Sequence, residues 1–441
     1  MTIHQSITDR IIHWFITFAK RKDRITIATM ALSFLSKIIR SRGRRVYLDY
    51  VAATPVDPRV VSEMTPYFNT FFGNPGGIHS QGVEAKHILE AARLSIASQL
   101  NAKSNEIIFT AGGTEANNLA ILGTVASCEA EGRVLSDMHF ITSAVEHPSV
   151  LDNFKRLQKR GAHVTYVSVD RGGRIDPKHV RRALTKQTVL VSIMYVNNEI
   201  GTIQPIRDIA KEIRFFNKHI KKDTSAVYPY FHTDASQAIA FIKVNVLRLG
   251  VNLLTMDAQK IYGPKGIGAL YKSRKTGLTA VFAGGDQEFG LRPGTENIPS
   301  IVGFARSLSL VADNRDYDTK RLTRLRDYFI AEVLQKIPRV ELNGEVKDRI
   351  PNNVNFSIPG MDNEFMVILL DARGIAIGTR SACLGHDGGS SYVIEALGKS
   401  KEITTSSLRF SLGRATTQKD IDYVVRVLVE IVANFDKRQK S

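Results

Sequence analysis

The sequence predicts an α/β protein: a larger domain built on a largely parallel sheet, followed by a smaller α+β domain. Three observations predict it. From Val46 onward, short β-rich runs alternate with helical stretches, the rhythm of βαβ units. Polar residues repeatedly follow the strand-like runs, where open α/β sheets place ligands. Past about residue 315 the alternation gives way to a long charged helical stretch and shorter strand-like pieces. The 441 residues are 43% hydrophobic and 23% charged, enough to bury a real core and ordinary for a globular chain. Wholesale disorder, collagen and coiled-coil architectures are excluded. Cys128 and Cys383 are the only cysteines, which excludes a disulfide framework and a four-cysteine metal site.

The strand-like runs come in order. Ile107 to Thr110 leads into Gly112-Gly113-Thr114, and Phe140 to Thr142 precedes Glu146-His147. Val189 to Tyr195 precedes Asn197-Asn198-Glu199, Phe231 to Thr233 precedes Asp234, and Leu253 to Thr255 precedes Gln259-Lys260. Helical periodicity lies between them, as in Pro205 to Phe216. Phe216 to Tyr230 reads as a polar surface loop. The smaller domain opens on a helical stretch, Tyr317 to Ile337, and contains strand-like runs at Asn353 to Ile358 and Ser407 to Ser411. The expected division is a basic extension over 1–45, a large domain over 60–315, and a small domain formed by 46–59 with 316–441.

The net charge is +17. Residues 1–45 hold ten basic and two acidic side chains, so the remaining chain carries +9. Two apolar stretches, Ile11 to Ala19 and Ile25 to Ser36, flank the cluster Lys20-Arg21-Lys22-Asp23-Arg24. Neither reaches the roughly 18 to 20 apolar residues that span a bilayer. Four readings stand side by side: a helix lying on a membrane surface, an organelle transit peptide, a dispensable extension, and a misplaced start codon. The remaining chain is only mildly basic, so direct nucleic-acid binding is not expected.

Several segments could carry chemistry. In Ile107 to Asn118 a strand ends in two glycines and a threonine before a helix, which suits an anion or merely caps the helix. Asp234 ends an apolar strand and needs a cationic or hydrogen-bonded partner there, or else caps the helix that follows. Lys260 follows another apolar strand. A desolvated lysine can form a Schiff base, although most lysines snorkel to solvent. His147 could stack on an aromatic cofactor and move protons. Asn198 offers both a donor and an acceptor. Cys383 lies in a glycine- and serine-rich segment that predicts an exposed loop, with Arg380 close enough in sequence to favour a thiolate. Cys128 falls within a helical pattern and is expected to be inert. Arg409, on a strand-like run, could clamp a carboxylate or form a salt bridge.

As an ordered set, YLDYVAATP, FGNPGGIHSQG, AGGTEANN, EHPSV, VNNEIGTIQPI, HTDASQ, KIYGPKGIGALY, LRPGTEN, SAC and SLRFSLGR resemble the cysteine desulfurases. These are pyridoxal-phosphate enzymes of the class V aminotransferase family. The likeness runs from about Tyr47 to Val432. It implies fold type I, with a mostly parallel seven-stranded sheet in the large domain. It implies that Lys260 holds the cofactor covalently and moves protons, that Asp234 pairs with the pyridinium nitrogen, and that His147 stacks on the ring. Asn198 and Gln237 would contact ring substituents, and Gly113, Thr114 and Gln259 the phosphate. Thr295 would reach the phosphate of a partner subunit, which implies a homodimer. Arg409, helped by Asn198, would hold the carboxylate of L-cysteine. Cys383 would be the nucleophile that takes the sulfur as a persulfide. The implied acceptors are iron–sulfur scaffold proteins or tRNA-thiolation factors, and the expected compartment is the cytoplasm, or the mitochondrion if the extension is a transit peptide.

The set also departs from the family. Asp257 stands where a serine hydroxyl usually helps hold phosphate, and Asp286 stands in a run that is usually glycine. Asp257 is expected to repel a phosphate dianion unless it turns away. A desulfurase-like scaffold with weak cofactor occupancy, and another class V enzyme such as a selenocysteine lyase, are the rival readings.

Overall fold

The computed structural model describes residues 44–221, 228–379 and 390–439. Cys383, Arg380 and all but the last two residues of the basic extension lie outside the described residues. Among the described residues no helix is long and apolar enough to cross a membrane.

The chain enters through a short strand, β1 (Val46–Tyr47). The long helix α1 (Ser80–Leu100) follows and leads to β2 (Ile107–Thr110). Helix α2 (Gly113–Ala130) leads to β3 (His139–Ser143), and α3 (Pro148–Lys159) to β4 (His163–Val167). Then come β5 (Thr188–Ser192), β6 (Tyr230–Asp234), β7 (Leu253–Asp257) and β8 (Gly268–Lys272). These form one seven-stranded sheet in the order β2-β8-β7-β6-β5-β3-β4. β8 runs antiparallel to both its neighbours, and every other pairing is parallel. This is the mostly parallel sheet expected.

Alternation along the strands divides the apolar side chains between two faces. Ile107, Phe109, Ile141, Val191, Phe231, Leu254 and Met256 pack on one face, with α1 and the helix Ile206–Phe216. Ile108, Phe140, Leu190, Tyr230, Leu253 and Leu270 pack on the other, with α2 and α3. Burial on both faces explains why these strands read as continuous apolar runs rather than as alternating ones. Cys128 is buried in α2, where desolvation pushes its thiol pKa up, in accord with an inert residue.

A second core gathers the other elements. Strands β9 (Glu341–Leu342), β10 (Asn353–Ser357) and β12 (Ser407–Ser411) form an antiparallel sheet in the order β12-β10-β9, while β11 (Ile375–Ala376) pairs in parallel with β1. Phe329, Phe356 and Phe410 meet edge to face at its centre. Val46 and Leu48 belong to this core, as does the C-terminal helix Gln418–Gln439.

The helical stretch read as Tyr317 to Ile337 is longer than expected. It is one helix, α4 (Ile298–Lys336), of 39 residues, about 58 Å long at 1.5 Å per residue. Its first half, Ile298 to Val311, packs in the sheet core, and Leu322 to Val333 pack in the second. The charged residues between them obscure the continuity in the sequence. Phe216 to Tyr230 also differs from a simple loop. Phe216 is buried, and Asn217–Lys221 add a π-helical turn to the preceding helix.

Candidate active site

The parallel strands end on a common edge, and their last residues open into a cavity of about 280 Å³. Gly113, Thr114, His147, Asn198, Asp234, Gln237, Gln259, Lys260 and Arg409 all line it. Residues scattered over nearly 300 positions meet because each follows, ends or sits within a strand of the sheets. Two predicted site residues are not among them. Thr295 is exposed and outside the lining, and Cys383 lies outside the described residues.

One end of the cavity is built around Asp234, the last residue of β6. Its Oδ1 accepts the Ser236 amide at 2.9 Å, and its Oδ2 accepts the Asn117 side-chain amide at 2.8 Å. Two donors from different elements fix the plane of the carboxylate. Facing it, His147 caps α3, with Nδ1 accepting the Ser149 amide at 3.2 Å and lying 2.8 Å from Ser149 Oγ. An accepting Nδ1 leaves the proton of the neutral ring on Nε2. Burial holds the His147 pKa below the ordinary imidazole value; Asp234 pulls it up and the nearby Lys260 pushes it down. Behind His147, Glu146 is fully buried. It accepts the Met194 amide at 2.9 Å and the Ser143 hydroxyl at 2.5 Å. Desolvation pushes its carboxyl up to about 8, which favours the protonated form, against the pull of the Ser143 and Met194 hydrogen bonds.

Lys260 follows β7 through the short turn Ala258–Lys260. Its Nζ donates to the carbonyls of Val51 at 3.0 Å and Ala52 at 2.7 Å. The lysine is therefore drawn into the cavity and not snorkelling. Gln237 Nε2 reaches the same Val51 carbonyl at 3.2 Å.

The opposite end is the N-terminus of α2. Its cap, Gly112, has φ +149 and no side chain to cap the helix, and Gly113 and Thr114 of its first turn line the cavity, at the positive end of the dipole of an 18-residue helix. Asp257, ending β7, is 7% exposed and lies here too. A side chain placed on Gly113 would meet Asp257 Oδ2 at 3.3 Å. Asp257 has not turned away. Instead it takes both donors of Gln259, the backbone amide at 3.2 Å and the side-chain amide at 3.1 Å. Gln259 is thus committed to a carboxylate in this state.

The third side is Arg409 on β12, only 2% exposed. Its Nη2 donates to Asp49 Oδ1 at 2.8 Å.

Comparison with known proteins decides the family. Residues 46–424 match the class V aminotransferase family model. The chain is a class V aminotransferase-family protein. Within this family it is similar to the cysteine desulfurase IscS of Dictyoglomus turgidum, with 44% identity over 389 residues, covering 88% of this chain and 95% of that one. It is similar to the IscS of Methanosarcina thermophila at 41% identity, covering 89% and 93%. Among solved structures, a NifS-like protein superposes with a TM-score of 0.80 at 31% identity, covering 88% of this chain and all of that one. A second, SspA in complex with cysteine, gives 0.71 at 31% identity, covering 83% and 98%.

Class V aminotransferase-family desulfurases depend on pyridoxal phosphate, and the cavity suits it. An oriented carboxylate, a stackable imidazole and an inward lysine match a pyridine aldehyde, and a helix N-terminus matches a phosphate. Asp257 is the one lining residue at odds with the group. Sequence reasoning passed over Asn117, Ser149, Ser236, Val51 and Ala52, which also line the cavity. Asn117 was within reach: it stands four positions after Gly113, hence on the same helix face. Val51 and Ala52 contribute through backbone carbonyls, which side-chain chemistry does not reveal.

Proposed function

We infer that the chain is a pyridoxal-phosphate-dependent cysteine desulfurase, converting L-cysteine to L-alanine and delivering the sulfur for iron–sulfur assembly. The observation that carries this is the convergence of Lys260, Asp234, His147 and Arg409 on one cavity, in a chain whose relatives bear that name. Neither rival gains support from those names, and the predicted cofactor residues converge despite Asp257.

When bound, pyridoxal phosphate supplies an electron sink that weakens bonds around the Cα of the amino acid. Asp234, fixed by Ser236 and Asn117, would keep a proton on the ring nitrogen. His147 would cover one ring face, its neutral Nε2–H available as a donor. Lys260 would hold the cofactor and then move the proton at Cα, leaving its two carbonyl partners when it does so. Gln237 and Asn198 would orient the ring substituents. Gly113, Thr114 and Gln259 would meet the phosphate, Gln259 by exchanging its bond to Asp257. Arg409 would bind the substrate carboxylate through bidentate donors. The thiolate of Cys383 would attack the substrate sulfur. A sulfur–sulfur bond forms, the Cβ–S bond breaks, Cβ is protonated, and alanine leaves.

A homodimer is part of this reading. Phe68, Phe72, Ile78, Phe282 and Phe289 are each more than half exposed, apolar side chains that a partner subunit would cover. Thr295 is exposed, as a residue serving a partner's phosphate would be. The acceptor would be an iron–sulfur scaffold protein or a tRNA-thiolation factor, and the compartment the cytoplasm, where thiols stay reduced. The test uses purified protein supplied with pyridoxal phosphate, L-cysteine and a reductant, with alanine and sulfide followed together. Equal amounts of both are expected. Alanine without sulfide, or neither product, overturns the reading.

A further inference from the structure

Arg409 is the most deeply buried cation of the cavity, and the way it is held is not explained by the roles given so far. A buried guanidinium without a counter-charge is costly. Its counter-charge here is Asp49, two residues after β1, with Oδ1 2.8 Å from Nη2. Asp49 does not line the cavity, whereas Arg409 does. The carboxylate thus takes the guanidinium from outside the lining. Nη1 lies 3.5 Å from the Asn198 carbonyl, and Nε is buried with no hydrogen-bond partner among the described residues. A buried arginine donor ordinarily has an acceptor.

Gly378 completes the arrangement. It exchanges two backbone hydrogen bonds with Arg409, at 2.7 and 3.1 Å. A Cβ on Gly378 would lie 2.6 Å from Arg409 Nη2 and 2.9 Å from Asp49 Oδ1. A side chain at position 378 would crowd both members of the pair. The 49–52 segment that carries Asp49 also supplies the two carbonyls that hold Lys260.

We propose that Asp49 is a positioning residue for substrate recognition: it fixes Arg409 through one N–H of Nη2 and leaves the other, with Nε or Nη1 beside it, for the carboxylate of the incoming amino acid. The role follows from charge and geometry. With one corner of a planar fork fixed, the remaining donors keep a single orientation, and less ordering is needed when the carboxylate binds. Asp49 also keeps the guanidinium neutralised while no substrate is present. The second carboxylate shares the cation with the first and does not replace it.

The inference rests on the desulfurase reading and is tested on the cofactor-loaded protein with two ligands. L-Cysteine has the carboxylate; cysteamine is the same molecule without it. Alanine formation gives KM and kcat for L-cysteine, and the change in cofactor absorbance on titration gives the binding of cysteamine. Asp49→Ala is expected to raise KM for L-cysteine about tenfold, the scale of one lost charge-assisted contact, with a smaller loss in kcat. Asp49→Asn, which keeps an oxygen for Nη2, is expected to recover most of that loss. Gly378→Ala retains the Asp49 carboxylate but crowds both it and Nη2, so it too raises KM for L-cysteine, and it serves if Asp49→Ala does not fold. Cysteamine binding should change less than twofold in all three. Wild-type KM values in the Asp49→Ala and Gly378→Ala proteins overturn the proposal. So does an equal loss for cysteamine, which marks general damage to the cavity. A wild-type protein that makes no alanine overturns the desulfurase reading instead, and this proposal with it.

Discussion

Asp234 and Asp257 are the same local device on neighbouring parallel strands. Each is the last residue of its strand, and each accepts the backbone amide two residues on, at 2.9 Å for Asp234 and 3.2 Å for Asp257. Each takes one side-chain amide as a second donor, from Asn117 or Gln259. What differs is the opposite wall. Asp234 faces His147 and Lys260, where a cofactor bearing a protonated nitrogen would place its ring. Asp257 faces the amides at the start of α2, where the same cofactor would place its phosphate. One fold position supplies charge complementarity at one end of the cavity and charge conflict at the other. A strand-end carboxylate is therefore not a functional signal by itself; the element facing it decides its value.

The strongest way to break the comparison is to remove the group standing between the two ends. Lys260→Ala is expected to abolish the visible absorption of the lysine-bound cofactor and all alanine formation, a loss of at least a thousandfold for a covalent catalyst. Retention of both would remove Lys260 from the mechanism. Cys383→Ala changes none of the residues named at either end of the cavity. It is expected to preserve the cofactor absorption while sulfide release stops. Full turnover in that protein would sink the persulfide route.

Much of this was legible in the sequence, for a physical reason. The buried parallel strands advertise themselves as apolar runs, and the polar residues that close them must fall on one edge. Asp234, His147, Asn198 and Lys260 were readable from that rule together with the resemblance. The backbone acceptors at Val51 and Ala52 were not, since any residue has a carbonyl and only the fold aims it. The continuity of α4 was hidden because a helix bridging two cores need not stay apolar midway. The pairing of Asp49 with Arg409 joins residues 360 positions apart, and no local pattern announces it.

A subtler test addresses what supports the Asp234 end. Glu146 precedes His147 and is fully buried. Burial pushes its carboxyl up from the ordinary value of 4.5 to about 8. Between these values the folded state binds more protons than the unfolded chain. The contribution is fully present below pH 4.5 and is lost as pH rises through about 8, with a total on the order of a few kcal/mol. Glu146→Gln keeps an oxygen for the Met194 amide and cannot ionise. Denaturant melts at pH 5 and pH 8 should show a smaller loss of stability for the variant across that interval. Parallel losses in the two proteins would mean that Glu146 is ionised in the fold.

The finest test asks whether the conflict at Asp257 is electrostatic. A phosphate dianion near a carboxylate is opposed by repulsion that burial does little to screen, although the helix amides offset part of it. Asp257→Ser removes the charge and frees both donors of Gln259, so pyridoxal phosphate should bind about tenfold tighter or better, the scale of a single exposed-to-buried charge contact. Asp257→Asn removes the charge while leaving a side chain of the same shape. If repulsion is the cause, both variants gain, and neither changes the affinity for pyridoxal, which has the ring and no phosphate. If only the serine variant gains, and it gains for pyridoxal as well, the obstacle is the space that Asp257 fills. Unchanged or weaker binding of pyridoxal phosphate in both would mean that the helix amides already outweigh the carboxylate, and that the two strand-end aspartates are compatible with one cofactor as they stand.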